Sequence, residues 1–363
     1  MHRLMAGVTI LEHELSELRL LVERQTGILL DCPNSALAAH VADYLESHEL
    51  ESAASLLTQL RDGNRDPSIF CTFLDGVLNV NTGFFRHPGA MNALARQVVP
   101  QLYARKSDEG ACTLRIWSAG CSTGEETYSI AMAVCDAFPG GNGNNTNGNG
   151  VRDTRERTAP ARNGGIADSG ITAGPALRDW SIHIVGSDLL PSAIEVAERG
   201  LYPQSALMGL PPAAIRASFS KIGGTNGGQG AIPEGALSPA NGAGSSANGA
   251  NGANGSNGSS NGAHLLVKPR LRSLVTFNTM NLTKPVYIGR FDCIFCMDVL
   301  PHLSRTQRTA LLERLHLYLE PGGYLFLSQT EKLSAPNLNF RPETFDGYTF
   351  HRKPLAASAA YGR

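Results

Sequence analysis

A group of small and acidic residues follows a short apolar run in the first half of the chain. The apolar residues 114–117 lead into Ser118, then Gly120, and then the acidic pair Glu125-Glu126, after which a helical pattern begins. This order predicts a strand, a tight loop and a helix, and small residues let such a loop approach a ligand closely. A phosphate site would favour bare amides and a lysine, and Gly-x-x-x-x-Gly-Lys does not occur. The carboxylates instead favour a cationic ligand, such as an ammonium or a sulfonium.

Polar residues also follow two later predicted strands. Asp188 ends the strand predicted over 181–187, where an acidic residue commonly accepts hydrogen bonds from ribose hydroxyls; a helix N-cap is the alternative. Asn281 follows the strand predicted over 274–279, where its amide could meet an adenine edge or form an ordinary Asx turn. Because the carboxyl ends of parallel strands lie at one edge of a sheet, these residues together predict a nucleoside pocket.

Arg86 directly precedes this α/β part of the chain. It follows Phe84 and Phe85, two aromatic residues that would ordinarily be core. A guanidinium near the predicted pocket is suited to holding a carboxylate, and a solvated surface arginine is the alternative.

Helical and strand patterns divide the chain into two parts. Residues 10–75 carry apolar residues at helical spacing, with Gly27 ending the first helix, which predicts a helical N-terminal domain over 1–75. From residue 111 strands alternate with helices, which predicts an α/β fold class with a mostly parallel sheet covered on both faces. The predicted strands are 114–118, 181–187, 274–279, 291–296, 324–328 and 347–352, and a capped helix is predicted over 304–319.

Two stretches, 139–178 and 223–262, interrupt the α/β pattern. Both are rich in Gly, Asn, Ser and Ala, with repeated Asn-Gly. They have too few apolar groups to offset the entropy of ordering the chain, so we predict disordered inserts. A ligand-binding role for the repeats is the alternative.

Composition excludes several classes of function. The chain has 363 residues and a net charge of −1, so it has neither the basic surface of a nucleic-acid-binding protein nor a polybasic membrane anchor. No apolar run is long enough to cross a membrane, and no signal-peptide pattern begins the chain, so we expect a cytoplasmic protein. The seven cysteines are expected to be reduced. Cys293-x-x-Cys296 has zinc-like spacing, but it lies in an apolar strand without a second pair, which favours core packing and no metal.

Seven motifs together resemble the chemoreceptor glutamate methyltransferases, the CheR family. Their order and approximate spacing match from about residue 10 to residue 352, apart from the two inserts, and the run from Ser118 to Ser129 is the most specific of them. The motifs are Thr82-x-Phe84-Phe85-Arg86; the segment from Ile116 to Met132; Ser187-Asp188; Gly200-Leu201-Tyr202; Asn281-Leu282; Phe291-Asp292-x-Ile294-Phe295-Cys296; and Leu319-x-Pro321-Gly322-Gly323.

The resemblance implies a fold and a reaction. It implies a Rossmann-like methyltransferase domain over 76–355, with a small β-subdomain within 201–272, that uses S-adenosylmethionine to methylate receptor glutamates. The partner would be a methyl-accepting chemoreceptor or a related signalling protein, and the enzyme a monomer. The residues expected to contact the cofactor are Thr82, Arg86, Gly120, Glu126, Asp188, Asn281, Leu282, Met297 and Asp298, with Arg86 also the catalytic candidate that steers the incoming carboxylate.

The chain departs from the family pattern at two places. Met297-Asp298 stands where the family has Arg-Asn, and His302 replaces a tyrosine. The second helix lacks the family's basic residues and carries Asp43 and Glu46 instead, which would repel an acidic substrate helix. Two functions therefore remain: a protein-glutamate O-methyltransferase with altered partner choice, or a catalytically impaired binding or regulatory protein of a chemosensory pathway.

Overall fold

The computed structural model describes most of the chain apart from its termini and the two inserts. The described residues are 10–61, 67–78, 82–138, 180–222, 264–285, 288–333 and 337–355. Both inserts predicted as disordered, 139–178 and 223–262, lie outside the described residues.

Four helices form an N-terminal bundle, as the helical spacing predicts. Leu15, Leu18 and Val22 are buried on one face of the first helix, and Gly27 ends that helix with a left-handed φ of 76°. Such a φ is accessible to glycine without strain. The four helices are α1 (Glu12–Thr26), α2 (Asn34–Ser47), α3 (Ala53–Arg61) and α4 (Pro67–Val77).

A seven-stranded, mostly parallel sheet forms the centre of the remaining chain. Its order is β6-β2-β1-β7-β8-β10-β9, and all neighbouring pairs from β6 to β8 are parallel, whereas β10 is antiparallel to β8 and β9. The α/β fold class is therefore confirmed, and the sheet is Rossmann-like. The strands are β1 (Thr113–Ala119), β2 (Ser181–Asp188), β6 (Val275–Thr279), β7 (Phe291–Phe295), β8 (Leu319–Phe326), β9 (Arg341–Phe345) and β10 (Tyr348–Arg352).

Helices cover both faces of this sheet. Leu114 and Ile116 of β1 face one layer, and Trp117 and Ala119 face the other, because successive side chains of a strand point to opposite faces. The first layer contains α5 (Pro88–Ala93), a π-helical turn at Leu94–Val98, α6 (Val99–Asp108) and α7 (Glu125–Ala137), and the second is α11 (Arg305–Tyr318). The predicted cap of α11 is present, since Ser304 Oγ accepts a hydrogen bond from the Gln307 amide.

The N-terminal bundle packs on the helix that follows β2. This helix, α8 (Pro191–Arg199), contributes Leu190 before it and Ala193 within it to the apolar core of the bundle. No helix in the described parts of the chain is long and apolar enough to cross a membrane.

A second, three-stranded sheet lies within residues 201–272. It consists of β3 (Leu201–Pro203), β4 (Phe219–Lys221) and β5 (His264–Val267), in the order β3-β5-β4, with both pairs antiparallel. Two short helices accompany it, α9 (Pro212–Ser218) and α10 (Pro269–Arg272).

The structure corrects two strand predictions. β8 begins at Leu319 and not at residue 324, because the chain leaves α11 in an extended conformation and continues through the Pro-Gly-Gly segment. β9 has no counterpart among the predicted strands; its burial pattern has no continuous apolar run, since it is the edge strand of the sheet.

Candidate functional site

A cavity of about 610 Å³ lies at the carboxyl ends of the central strands. Its walls include residues that follow β1, β2, β6 and β7. The chain runs outward from β1 to β2 and β6 on one side of the sheet and to β7 and β8 on the other. Ligands of open α/β sheets bind where the strand order reverses in this way.

All nine residues that the sequence predicts for the cofactor site line this cavity. They come from five separate segments of the chain and are Thr82, Arg86, Gly120, Glu126, Asp188, Asn281, Leu282, Met297 and Asp298.

The loop after β1 is fixed against the end of β2. The amides of Gly120 and Cys121 both donate to the carbonyl of Ser187, at 2.8 and 2.9 Å. Gly120 has a φ of 83°, and a Cβ added there would lie 2.5 Å from Cγ2 of Val299. The position therefore requires glycine both for its backbone conformation and for its close approach to the loop after β7.

Asp188 joins the loops after β1 and β2. Its Oδ2 accepts from the Ser122 amide at 2.8 Å, and its Oδ1 accepts from the Leu190 amide at 3.0 Å. Burial raises the pKa of this carboxyl, and its bonds to backbone amides act in the opposite direction. The N-cap alternative does not hold, because Leu190 occupies the cap position of α8. These hydrogen bonds hold the carboxylate at the wall of the cavity, which Asp188 lines.

Glu126 presents a second carboxylate at the start of α7. Ser118 at the end of β1 donates its hydroxyl to Glu126 Oε1 at 2.7 Å. Burial, with the nearby negative charges of Asp298 and Glu331, raises the pKa of Glu126 to about 7, against the opposing effects of Ser118 and Arg86. A cation in the cavity would favour the ionised form of this group.

Arg86 is held by its aromatic neighbours. Phe84 packs edge-on against Tyr202 and Phe219 of the small sheet, with ring centroids 4.9 and 5.3 Å apart. The Phe85 amide donates to Ser129 Oγ of α7 at 2.9 Å. Arg86 itself is exposed, but it lines the cavity and lies 3.4 Å from Asp298, so the purely solvated alternative does not describe it.

Asp298 faces two basic side chains across the cavity. Its Oδ2 lies 3.4 Å from Arg86 Nε and 2.9 Å from His87 Nε2. The loop that carries Asp298 is in turn held by Glu331, whose carboxylate accepts from the amides of Asp298, Leu300 and Ser328.

Asn281 makes the Asx turn that its sequence also allows. Its Oδ1 accepts from the Thr283 amide and hydroxyl, at 2.9 and 2.8 Å, and its Nδ2 donates to the carbonyl of Gln25 in α1 at 3.3 Å. The side chain therefore links the loop after β6 to the N-terminal bundle as well as lining the cavity. Leu282 and Met297 supply apolar wall, with Met297 almost fully buried.

The segment between α1 and α2 forms one side of the cavity. The sequence analysis does not predict this role for the segment. Residues 28–33 line it. The Leu29 amide donates to the carbonyl of His302 at 2.8 Å, and Ile28 pairs with Leu303 as an isolated antiparallel bridge. The exposed His302 thus meets the N-terminal bundle through its backbone.

Three lining residues have an unusual backbone conformation. Phe85, Ser122 and Asp298 have φ values of 52°, 51° and 57°, although none of them is glycine. Non-glycine residues in the left-handed region cost free energy and cluster at functional sites.

Other contributors were missed by sequence reasoning. His87 is adjacent to Arg86, which is a signal that could have found it, and Ser118 ends a predicted strand. Glu331 carries no such signal, because only the fold brings it to the loop after β7.

The two cysteines with zinc-like spacing lie in the core of the sheet. Cys293 and Cys296 are both fully buried, and burial raises the pKa of each thiol well above its ordinary value. Within the described residues no cluster of His, Cys, Asp and Glu could hold a metal ion.

Comparison with known proteins identifies the class to which this fold and cavity belong. The family model described as "CheR methyltransferase, SAM binding domain" matches residues 80–147 and 255–348. A chemotaxis protein methyltransferase 1 of Pseudomonas aeruginosa is 27% identical over 322 residues, covering 87% of this chain and 89% of the relative. A chemotaxis protein methyltransferase 1 of Vibrio cholerae is 24% identical, covering 91% and 93%.

The chain belongs to the CheR methyltransferase family and carries that family's S-adenosylmethionine-binding domain. The residues present fit this cofactor. The cavity has the size of a small-molecule site, and Glu126 gives its wall a carboxylate that suits a sulfonium or an ammonium.

Proposed function

We propose that the protein transfers a methyl group from S-adenosylmethionine to glutamate side chains of a chemoreceptor-like protein, forming glutamyl methyl esters. The observation that carries this proposal is the convergence of nine separately predicted residues on one cavity beyond the carboxyl ends of the sheet. The methyltransferase family of the chain supports the reaction, and the relatives' names support a role in chemotaxis.

The cofactor, when bound, supplies a methyl carbon on a positively charged sulfur. In our proposal, the carboxylate of Glu126 attracts this positive end of the ligand. Asp188 accepts hydrogen bonds from ribose hydroxyls through its remaining lone pairs. Met297 and Leu282 pack against the base, and Thr82 and the Gly120 backbone complete the wall.

The acceptor needs orientation more than chemical activation. A glutamate carboxylate is already ionised near neutral pH, so no general base has to remove a proton before it attacks the methyl carbon. Arg86 would bind and orient the incoming carboxylate, and the cavity wall would limit the access of water to it. Ser118 keeps the Glu126 carboxylate in place through its 2.7 Å hydrogen bond.

The acidic face of α2 disfavours an acceptor whose methylation helices are themselves acidic. Asp43 and Glu46 lie on the exposed face of α2, and this helix contains no lysine or arginine. Because like charges across an interface reduce association, we propose an acceptor segment that is neutral or basic around its glutamates.

We also propose that residues 1–75 and 76–355 are separate domains.

Incubation with tritiated S-adenosylmethionine and lysate of the source organism tests the function. We expect tritium on a discrete protein, in a form that mild base releases as methanol, because glutamyl methyl esters are base-labile. Binding of the cofactor without any base-labile label would favour the binding or regulatory alternative. Label that survives base would mean that the acceptor group is not a carboxylate.

A further inference from the structure

The carboxylate of Asp298 contacts the guanidinium of Arg86, and both residues line the cavity. Its Oδ2 lies 3.4 Å from Arg86 Nε and also 2.9 Å from His87 Nε2, so one oxygen is shared by two basic side chains. The side chains of Asp298 and Arg86 are 36% and 39% exposed, so solvent and ligands can reach the pair. A contact of this kind can exchange for another carboxylate without unfolding the site.

The position of Asp298 is itself held by the fold. Its backbone has a left-handed φ of 57°, and its amide donates to Glu331 Oε2 at 3.2 Å. Glu331 also accepts from the amides of Leu300 and Ser328, at 2.9 and 2.8 Å, so it joins the loop after β7 to the segment after β8. A backbone conformation of this kind persists only where the surrounding structure maintains it, so these contacts also fix where the Asp298 side chain starts.

The wall of the cavity contains few positively charged side chains. Among the described lining residues, Arg86 is the only lysine or arginine, whereas four residues are carboxylates: Asp31, Glu126, Asp188 and Asp298. A ligand that brings its own carboxylate into this cavity has one guanidinium to bind. Asp298 already contacts that guanidinium.

We propose that Asp298 is an internal competitor for Arg86, which a ligand carboxylate must displace before it can bind. The inference rests on the proposed function, because it takes Arg86 as the carboxylate-binding group of that site. Asp298 is then a specificity-determining residue, because its competition for Arg86 weakens the apparent affinity of every ligand that binds through a carboxylate.

Two ligands bring a carboxylate to this cavity. One is the amino-acid end of the methyl donor or of its product, S-adenosylhomocysteine, and the other is the acceptor glutamate. Either would replace Asp298 at Arg86 by the same charge-assisted contact.

Calorimetry on the full chain with Asp298→Asn separates the two sources. S-adenosylhomocysteine carries the carboxylate, and 5′-deoxy-5′-methylthioadenosine has the same nucleoside without it. If the donor's carboxylate displaces Asp298, the variant binds S-adenosylhomocysteine about fivefold tighter and methylthioadenosine unchanged, since a half-exposed ion pair is worth about that factor. If the acceptor's carboxylate does so, both affinities stay unchanged. The initial rate of base-labile methyl labelling of lysate protein then rises about fivefold at saturating donor.

Three controls make the outcome specific to Arg86. Asp346→Asn makes the same chemical change at an exposed turn with a similar φ of 46°, and it should change nothing. Asp298→Gly also suits a left-handed φ and should reproduce the asparagine result. In an Arg86→Ala background, Asp298→Asn should not increase the affinity for S-adenosylhomocysteine, because the guanidinium for which Asp298 competes is absent.

The inference and the proposed function fail in different ways. If the wild-type protein binds neither nucleoside, the cofactor site itself is wrongly assigned. If the wild-type protein binds S-adenosylhomocysteine but Asp298→Asn weakens that binding, or changes neither affinity nor labelling, Asp298 is not a competitor for Arg86. Tightening that persists without Arg86 would also overturn the inference.

Discussion

Glu126 is the residue whose charge state connects the cavity to pH. Its pKa is raised to about 7 from an ordinary value of 4.5, chiefly by burial. Between those two values the folded protein binds more protons than the unfolded chain does, so this group makes the empty protein less stable as pH rises toward 7. A bound cation would offset that cost, because it stabilises the ionised carboxylate.

Replacing Glu126 by glutamine should remove a pH dependence from donor binding. In the wild-type protein we expect the affinity for S-adenosylmethionine to rise between about pH 6 and 8, as Glu126 loses its proton. The variant keeps a carbonyl that can accept from Ser118, but we expect a flat profile and about tenfold weaker binding at the upper end. Calorimetry across that pH range measures both. A wild-type profile in the variant would show that another group titrates.

We expect methyl transfer to depend more on Arg86 than on any other single residue of the cavity. We expect Arg86→Ala to abolish methyl-ester formation while the melting temperature stays within about 3 °C, because a half-exposed ion pair adds little stability. Arg199→Ala is the matched control, since this exposed arginine on α8 pairs, among the described residues, with Glu195 of its own helix at 3.9 Å. Normal transfer by Arg86→Ala would mean that the acceptor carboxylate binds elsewhere.

At the scale of single elements, the loop between β1 and α7 determines the shape of the cavity. It includes left-handed residues at Gly120, Ser122 and Gly124, and it is bonded to the end of β2 through Ser187 and Asp188. A change in this loop therefore moves two strand ends at once.

Gly120→Ala should disrupt this loop and with it ligand binding. An alanine there has a left-handed φ, which costs ~1–2 kcal/mol, and its Cβ meets Val299 Cγ2 at 2.5 Å. We expect a lower midpoint in urea unfolding and loss of S-adenosylhomocysteine binding. Gly209→Ala is the control, because a Cβ at Gly209 meets nothing within 4 Å. Unchanged stability and binding in Gly120→Ala would show that this loop does not determine the shape of the cavity.

The elements that the sequence predicts best are those with strong local signals. Apolar residues recur at alternate positions at the start of β1 and β2, all five residues of β7 are buried, and α11 has its serine cap, so local residues were sufficient. β9 was missed because an edge strand buries little, and β3 because it has three residues. The pairing partners of such strands lie far away in sequence, and no local pattern reports them.

For the whole molecule, the site is assembled from parts distant in sequence. The bundle reaches the cavity through residues 28–33, and Asn281 and Thr283 bond to the carbonyls of Gln25 and Thr26 at the end of α1. That these nine residues lie near one another could be predicted, because each lies at a strand end or in a motif that resembles the family's. Residues 28–33 and Glu331 could not, because their place depends on how the bundle and the loops pack.

The second insert should contribute little to the stability of the whole molecule. Lys221 at the end of β4 pairs with Leu265 of β5, so the chain leaves and re-enters this sheet at neighbouring points. Shortening the connection changes closure entropy by only ~1 kcal/mol, and we expect deletion of 241–262 to move the melting temperature by less than about 3 °C. Val267→Ala, at a fully buried position of β5, should lower it clearly and shows that the assay is sensitive. A large drop on deletion would mean that the tract is part of the folded structure.

The most direct measurement of the central claim is a crystal structure of the protein with S-adenosylhomocysteine. The account predicts the nucleoside in the cavity beyond β1, β2 and β6, with its ribose hydroxyls within hydrogen-bond distance of Asp188 and its sulfur facing Glu126. A nucleoside bound elsewhere, or a cavity filled by the protein's own side chains, would contradict it.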